Sequence, residues 1–186
     1  MNIVVYCGSR TGFDPAFRKA AAELGRWIGS HGHTLVYGGG GIGLMGVLAD
    51  AVLEADGEII GVIPHFLDTV EQAHPAVSRM IRVSTMSQRK AEMIELGDAF
   101  IALPGGPGTL EEISEVISLA KLKRLCAPVI LADINGYYQP LASVFRNMVD
   151  QGFFLESQEE DITFARDIKS AAAVLEDAFS RRAELS

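Results

Sequence analysis

The residues with the means to do chemistry fall in three short stretches. The first runs from Ala99 to Ala120, AFIALPGGPGTLEEISEVISLA. Ala99 to Leu103 is an apolar run of strand length, and Pro104 to Gly108 reads as a glycine-proline turn outside any helix. From Thr109 the spacing is helical, with Ile113, Val116, Ile117 and Ala120 on one face. Strand, glycine turn and helix start, in that order, make an anion site in a parallel α/β sheet. Glycine lets backbone N–H groups approach a phosphate, and the first helical turn leaves donors unpaired. Glu111 and Glu112 follow at once. A carboxylate repels a phosphate, so either must act on another part of the ligand. Glu112 also has a plain reading: Thr109, Leu110, Glu111, Glu112 fits a capping box, in which the glutamate only completes the helix start.

The second stretch is Tyr37 to Gly46, YGGGGIGLMG, between a short apolar run and a helical pattern. It contains Gly39, Gly41 and Gly46 but does not keep dinucleotide-binding spacing, so a ligand loop and a tight packing turn both remain open. The third is Met86, Ser87, Gln88, Arg89, Lys90. Arg89 lies three residues after Met86 and four before Met93, on their apolar face, and an inward arginine needs an anionic partner. Glu92, another core carboxylate or a ligand would each serve. Lys90 reads as a solvated or phosphate-facing cation. Cys7 ends the first apolar run with no histidine placed to activate it, which makes it a core thiol. His65 and His74 form no metal-ligand pair, and no metal or cofactor is expected.

Apolar runs and helical patterns alternate around these stretches. Strands are expected at Asn2 to Cys7, Thr34 to Tyr37, Glu58 to Ile63, Met80 to Val83, Ala99 to Leu103, Ala127 to Leu131 and Asp161 to Phe164. Helices are expected over Asp14 to Ser30, Leu44 to Ala55, Met86 to Leu96, from Thr109, over Tyr138 to Val149 and over Ile168 to Phe179. His65 to Arg79 breaks the pattern as a loop or short helix. The alternation predicts one domain over residues 1–186, a doubly wound, Rossmann-like parallel sheet with helices on both faces. A net charge of −8 over 186 residues argues against nucleic acid as a partner. The absence of any bilayer-length apolar run argues against a membrane. The first residues, MNIVVYCGSR, begin a strand and lack a signal-peptide pattern, and two distant cysteines suggest no disulfide framework. A cytoplasmic location is expected.

Taken together, VYGGGGIGLMG, GVIP, MSQRKAEM, DAFIALPGGPGTLEE and NGYYQPL closely resemble the LONELY GUY family of cytokinin-activating phosphoribohydrolases, long mislabelled as lysine decarboxylases. The resemblance spans nearly the whole chain in the family's order. It implies hydrolysis of the N-glycosidic bond of a nucleoside 5′-monophosphate to free base and ribose 5-phosphate, with N6-isoprenoid adenosine monophosphates preferred. It places catalysis on Arg89 and Glu112 and the phosphate on Gly105, Gly106, Gly108 and Thr109. Gly8, Ser9, Gly39, Gly40, Met86 and Lys90 complete the implied substrate contacts, and a homodimer or larger assembly is implied. Three places depart from the family pattern. Leu119 to Lys123 replaces a usual Trp-Ala-Gln-Leu-Gly run, Leu125 to Pro128 replaces His-x-Lys-Pro, and Arg10 stands where a second serine is usual. The other functions weighed are a general AMP or GMP nucleosidase and a non-catalytic binder of a nucleotide or of molybdenum cofactor.

Overall fold

Seven short apolar runs set the architecture. The computed structural model describes residues 1–68, 70–155 and 162–184. Its strands are β1 (Asn2–Tyr6), β2 (Thr34–Tyr37), β3 (Glu58–Pro64), β4 (Arg79–Val83), β5 (Ala99–Ala102), β6 (Val129–Ala132) and β7 (Ile162–Ala165). They form one parallel sheet in the order β4-β3-β2-β1-β5-β6-β7. Its helices are α1 (Pro15–Ser30), α2 (Gly43–Leu53), α3 (Met86–Leu96), α4 (Pro107–Lys121), α5 (Gln139–Asp150) and α6 (Ile168–Glu184).

The central strands are buried on both sides because they are apolar at successive positions, whereas the edge strand β4 carries the exposed Arg79 and Arg82. In β1, Ile3 and Val5 enter the core shared with α1, α2 and α6, while Val4 and Tyr6 enter the core shared with α3, α4 and α5. The chain winds outward from β1 to β4, then returns to lay β5 against the other side of β1. The loops leaving β1 and β5 therefore part company at their carboxyl ends, which opens the crevice where such sheets bind ligands.

The expected doubly wound fold is the observed one, with most boundaries shifted by a residue or two. Of the last expected strand, Asp161 lies outside the described residues. The irregular stretch after β3 holds one short 3-10 turn, His65–Leu67. One shift changes a conclusion. The turn expected through Gly108 ends earlier, because α4 begins at Pro107 with Gly106 as its N-cap. Proline suits a first helical position, where its missing N–H is not needed. Thr109 is then the third helical residue, Glu112 lies well inside the helix, and no side chain caps α4. The capping box expected at Thr109 and Glu112 is absent. One exists at α3 instead, where the Thr85 hydroxyl accepts from Gln88 N–H and the Gln88 side chain accepts from Thr85 N–H. Among the described residues no helix is long and apolar enough to cross a membrane.

Candidate active site

The capping box fixes the first turn of α3 and with it the direction of Arg89, which enters the protein over the carboxyl ends of the central strands. Its side chain is buried between two carboxylates. Nη1 lies 3.3 Å from Glu71 Oε2, and Nη2 lies 3.8 Å from Glu112 Oε1. Arg89 is 5% exposed and Glu112 is 7% exposed. The guanidinium reaches this position because Gly38 follows directly after β2: a Cβ there would lie 1.9 Å from Nη2. One cation thus faces two acids in a site screened from water. Burial pushes the Glu112 carboxyl up to about 7, with Arg89 pulling it down and Glu71 and Glu111 pushing it further up. Burial also raises Glu71, against the pull of Arg89. The Glu112 carboxyl is therefore poised near neutral pH, where a group that accepts or donates a proton in a reaction works best.

Glu71 was not among the expected site residues. It arrives from the irregular stretch after β3, and the glycine run holds it there. Gly41 N–H donates to the carbonyls of Glu71 (3.1 Å) and Gln72 (2.7 Å), and His74 N–H donates to Gly39 O at 2.9 Å. Gly40 pairs with Ala73 as an isolated bridge. Gly39 takes a φ of +79°, which suits glycine. Gly39 and Gly40 thus anchor the segment that brings Glu71 to Arg89, and the partners of Arg89 are Glu71 and Glu112 rather than Glu92.

Lys90 follows Arg89 in sequence but turns to the other side, where it pairs with Glu111 and, at 2.8 Å, with Glu115. Its hydrogen bonds to these two carboxylates raise the ammonium above its ordinary range. Met86 is half-buried at the first residue of α3. Cys7 is a buried core thiol, pushed up chiefly by burial and then by Glu112, as its reading as an inert residue requires. His74 faces Asp50 at 3.1 Å, and no group of three metal-ligating side chains occurs among the described residues.

The first turn of α4 lies beside this cluster, since Glu112 is on the same helix. A Cβ at Gly106 or Gly108 would meet nothing within 4 Å, and neither residue has a positive φ. The protein's own packing does not require glycine at these positions. Their bareness leaves the backbone donors of the helix start open to an anion. Gly105 differs, because a Cβ there would lie 2.2 Å from Thr109 Oγ1. The NGYYQPL segment supports the turn from behind. Tyr138 OH donates to Leu103 O at 2.8 Å, Tyr137 OH donates to Gly105 O, and the buried Asp133 carboxylate accepts from Tyr138 N–H at 2.6 Å. A cavity of about 340 Å³ opens in front of the turn, lined in part by Gly8, Ser9, Arg10, Gly105, Gly106 and Tyr137. A larger hollow of about 1030 Å³ lies at the opposite end of the sheet and holds none of these groups.

Known proteins share this arrangement of sequence. The profile of a family described as "Possible lysine decarboxylase" matches residues 45–175. The chain is 42% identical over 185 residues to a cytokinin riboside 5′-monophosphate phosphoribohydrolase of Arabidopsis thaliana, covering 100% of this chain and 87% of that protein. It is 39% identical over 175 residues to a bacterial protein of the same name from Rhodococcoides fascians, covering 94% and 88%. Among solved structures, the Moco carrier protein from Chlamydomonas reinhardtii superposes with a TM-score of 0.73 at 26% identity, covering 97% of this chain and 98% of that one.

Proposed function

Because the chain belongs to the family of possible lysine decarboxylases, and within it to the cytokinin riboside 5′-monophosphate phosphoribohydrolases, we propose that the Glu71, Arg89 and Glu112 cluster is where it breaks the N-glycosidic bond. The activity is hydrolysis of a cytokinin-type adenosine 5′-monophosphate to free base and ribose 5-phosphate. Water adds at C1′, the bond from C1′ to the base nitrogen breaks, and the base leaves with the bonding electrons and a proton. Positive charge builds on the ribose ring as the bond breaks, and a carboxylate beside the ring offsets it while orienting the water. Glu112 takes that part. Arg89 keeps enough of it ionised at neutral pH, and Glu71 is the second acid that the same guanidinium holds in place. The 5′-phosphate sits on the first turn of α4 at Gly105, Gly106, Gly108 and Thr109, which turns binding energy far from the reacting bond into orientation.

The observation that carries this reading is a buried arginine between the buried Glu112 and the half-buried Glu71, next to a bare helix start. A carrier of an anion gains nothing from two acids in its pocket, which weighs against the non-catalytic alternative. Lysine decarboxylation through a Schiff base is disfavoured as well, since Lys90 is an ammonium held between Glu111 and Glu115. Purified protein is expected to release free base from isopentenyl-AMP faster than from AMP, followed by chromatography of the base. Equal rates would make it a general nucleosidase, and binding without release from either would make it a carrier.

We also propose a homodimer or larger assembly. An apolar trough of about 490 Å³ runs between α4 and α5, lined in part by Leu110, Tyr137, Leu141 and Val144, with Leu110 44% and Val144 47% exposed. Val144→Asp should lower the mass in sedimentation to that of one chain, and a wild-type monomer would remove the assembly. The unpaired Cys7 and Cys126 agree with a reducing cytoplasm, and the net charge of −8 with the absence of a nucleic-acid partner.

A further inference from the structure

The loop leaving β1 carries a cation to which the hydrolysis scheme gives no task. Around the site the other cations are engaged: Arg89 by Glu71 and Glu112, Lys90 by Glu111 and Glu115, Arg82 by Asp68. Arg10 is exposed and has no carboxylate partner among the described residues. Its backbone is nonetheless firmly held. Gly8 N–H donates to Pro104 O at 3.2 Å and Leu44 N–H donates to Gly8 O at 3.0 Å, so the loop is tied to the turn after β5 on one side and to α2 on the other. Gly43, with a φ of +65°, lies directly beneath it: a Cβ there would sit 2.2 Å from the carbonyl carbon of Ser9. A long charged side chain is thus presented from a fixed backbone.

Arg10 and Gly106 line the same 340 Å³ cavity. That volume equals about eleven waters of the liquid, room for a phosphoryl group and a guanidinium together. We infer that Arg10 is a phosphate-binding residue, whose guanidinium closes across the cavity onto a phosphate monoester seated on the first turn of α4. This rests on the reading that the 5′-phosphate occupies that turn. A guanidinium offers two parallel, charge-assisted bonds to a phosphate, where the serine usual at this position in the resembling family offers a single neutral one. In an acidic chain an unpaired arginine at the mouth also draws an anion toward a surface that otherwise repels it. The same grip extends to ribose 5-phosphate and to inorganic phosphate, so Arg10 sets how strongly the enzyme demands a phosphorylated nucleoside and how strongly its phosphorylated product inhibits it.

The test compares wild type, Arg10→Ser and Arg10→Lys with AMP, with adenosine, and with inorganic phosphate as inhibitor. In Arg10→Ser the KM for AMP and the inhibition constant of phosphate should each rise about tenfold, as loss of a charged hydrogen-bonded contact requires. The kcat for AMP should change less than about threefold, since the first turn of α4 still holds the phosphate and orients the ribose. Arg10→Lys, with charge but no fork, should fall between. Reaction with adenosine, which has no phosphate, should be the same in all three, and so should the melting temperature. Unchanged KM and inhibition in Arg10→Ser, or an equal loss with adenosine, would overturn the inference. If wild type releases no base from any nucleotide, the hydrolase reading fails, and calorimetric titration with inorganic phosphate still decides the role of Arg10. Weaker binding to Arg10→Ser sustains it, and equal binding ends it.

Discussion

Replacing Glu112 with glutamine is expected to abolish base release, by about a thousandfold or more, while leaving the protein as stable as wild type or more so. The loss follows from the proposed role, since an amide of the same shape neither takes a proton from water nor offsets positive charge on the ribose. The gain follows from burial. The folded protein holds the Glu112 carboxyl at about 7 against an ordinary 4.5, and at about 1.4 kcal/mol per pKa unit this is roughly 3 kcal/mol of strain above pH 7. Glutamine removes that charge and leaves Arg89 matched one to one with Glu71. For a chain of this size 1 kcal/mol is about 2–4 °C, so an increase of roughly 6–12 °C is the upper limit. Loss of a helix cap cannot confuse the result, because α4 is capped by Gly106 and not by Thr109 and Glu112. A Glu112→Gln variant that keeps a tenth of wild-type activity would remove Glu112 from the chemistry.

The same carboxyl fixes two pH profiles. Activity needs the ionised form, so kcat/KM in wild type should climb as pH rises through about 7 and then level. Stability moves the other way. Between the ordinary carboxylate range and about 7 the native state holds a proton that the unfolded chain has released, so stability contributed by Glu112 falls as pH rises through this window. Thermal melts from pH 4.5 to 8 should show that slope in wild type and a shallower one in Glu112→Gln.

How much of this was visible in the sequence depends on the reach of each feature. The sheet was legible because its strands are apolar at successive positions, a pattern that only two-sided burial explains. The inward direction of Arg89 was legible too, since Met86 and Met93 fix the apolar face of its helix. Its partner Glu71 was not. Glu92 is near in sequence, whereas Glu71 sits in a stretch with no periodicity and is brought to Arg89 by hydrogen bonds that Gly41 N–H donates to it and Gly39 O accepts from His74. Local pattern carries no record of a contact that another loop imposes. The misplaced start of α4 came from Pro107 and Gly108, which look like turn residues but are compatible with a first helical turn. That error of two residues made Glu112 look like a cap. Gly38 was hidden in a different way: in a run of four glycines nothing marks the one whose missing side chain makes room for Nη2 of Arg89.

Arg89→Ala should be damaging to both activity and stability, and the pH at which stability is measured should reveal why. The substitution leaves the buried Glu112 and the half-buried Glu71 without their cation. Removing one partner of a buried ion pair typically costs about 3–5 kcal/mol, because the remaining charge is stranded. Carboxylates have an escape that a stranded cation lacks, which is to bind a proton. Without Arg89 both acids should hold protons to higher pH than in wild type, and a protonated pair needs no cation. The deficit against wild type should therefore be small at pH 5 and grow toward pH 8, as the unfolded chain, with ordinary carboxyls, gains over a native state forced to ionise its buried pair. Adding Glu112→Gln to Arg89→Ala should recover much of the stability at pH 8, since one acid remains, and none of the activity, since the reacting carboxylate is gone. Urea titrations of the four proteins at the two pH values measure this directly. A deficit independent of pH, or one that Glu112→Gln does not relieve, would mean that Arg89 stabilises the fold through packing alone, and the two carboxylates would then have to be held in place by something other than its charge.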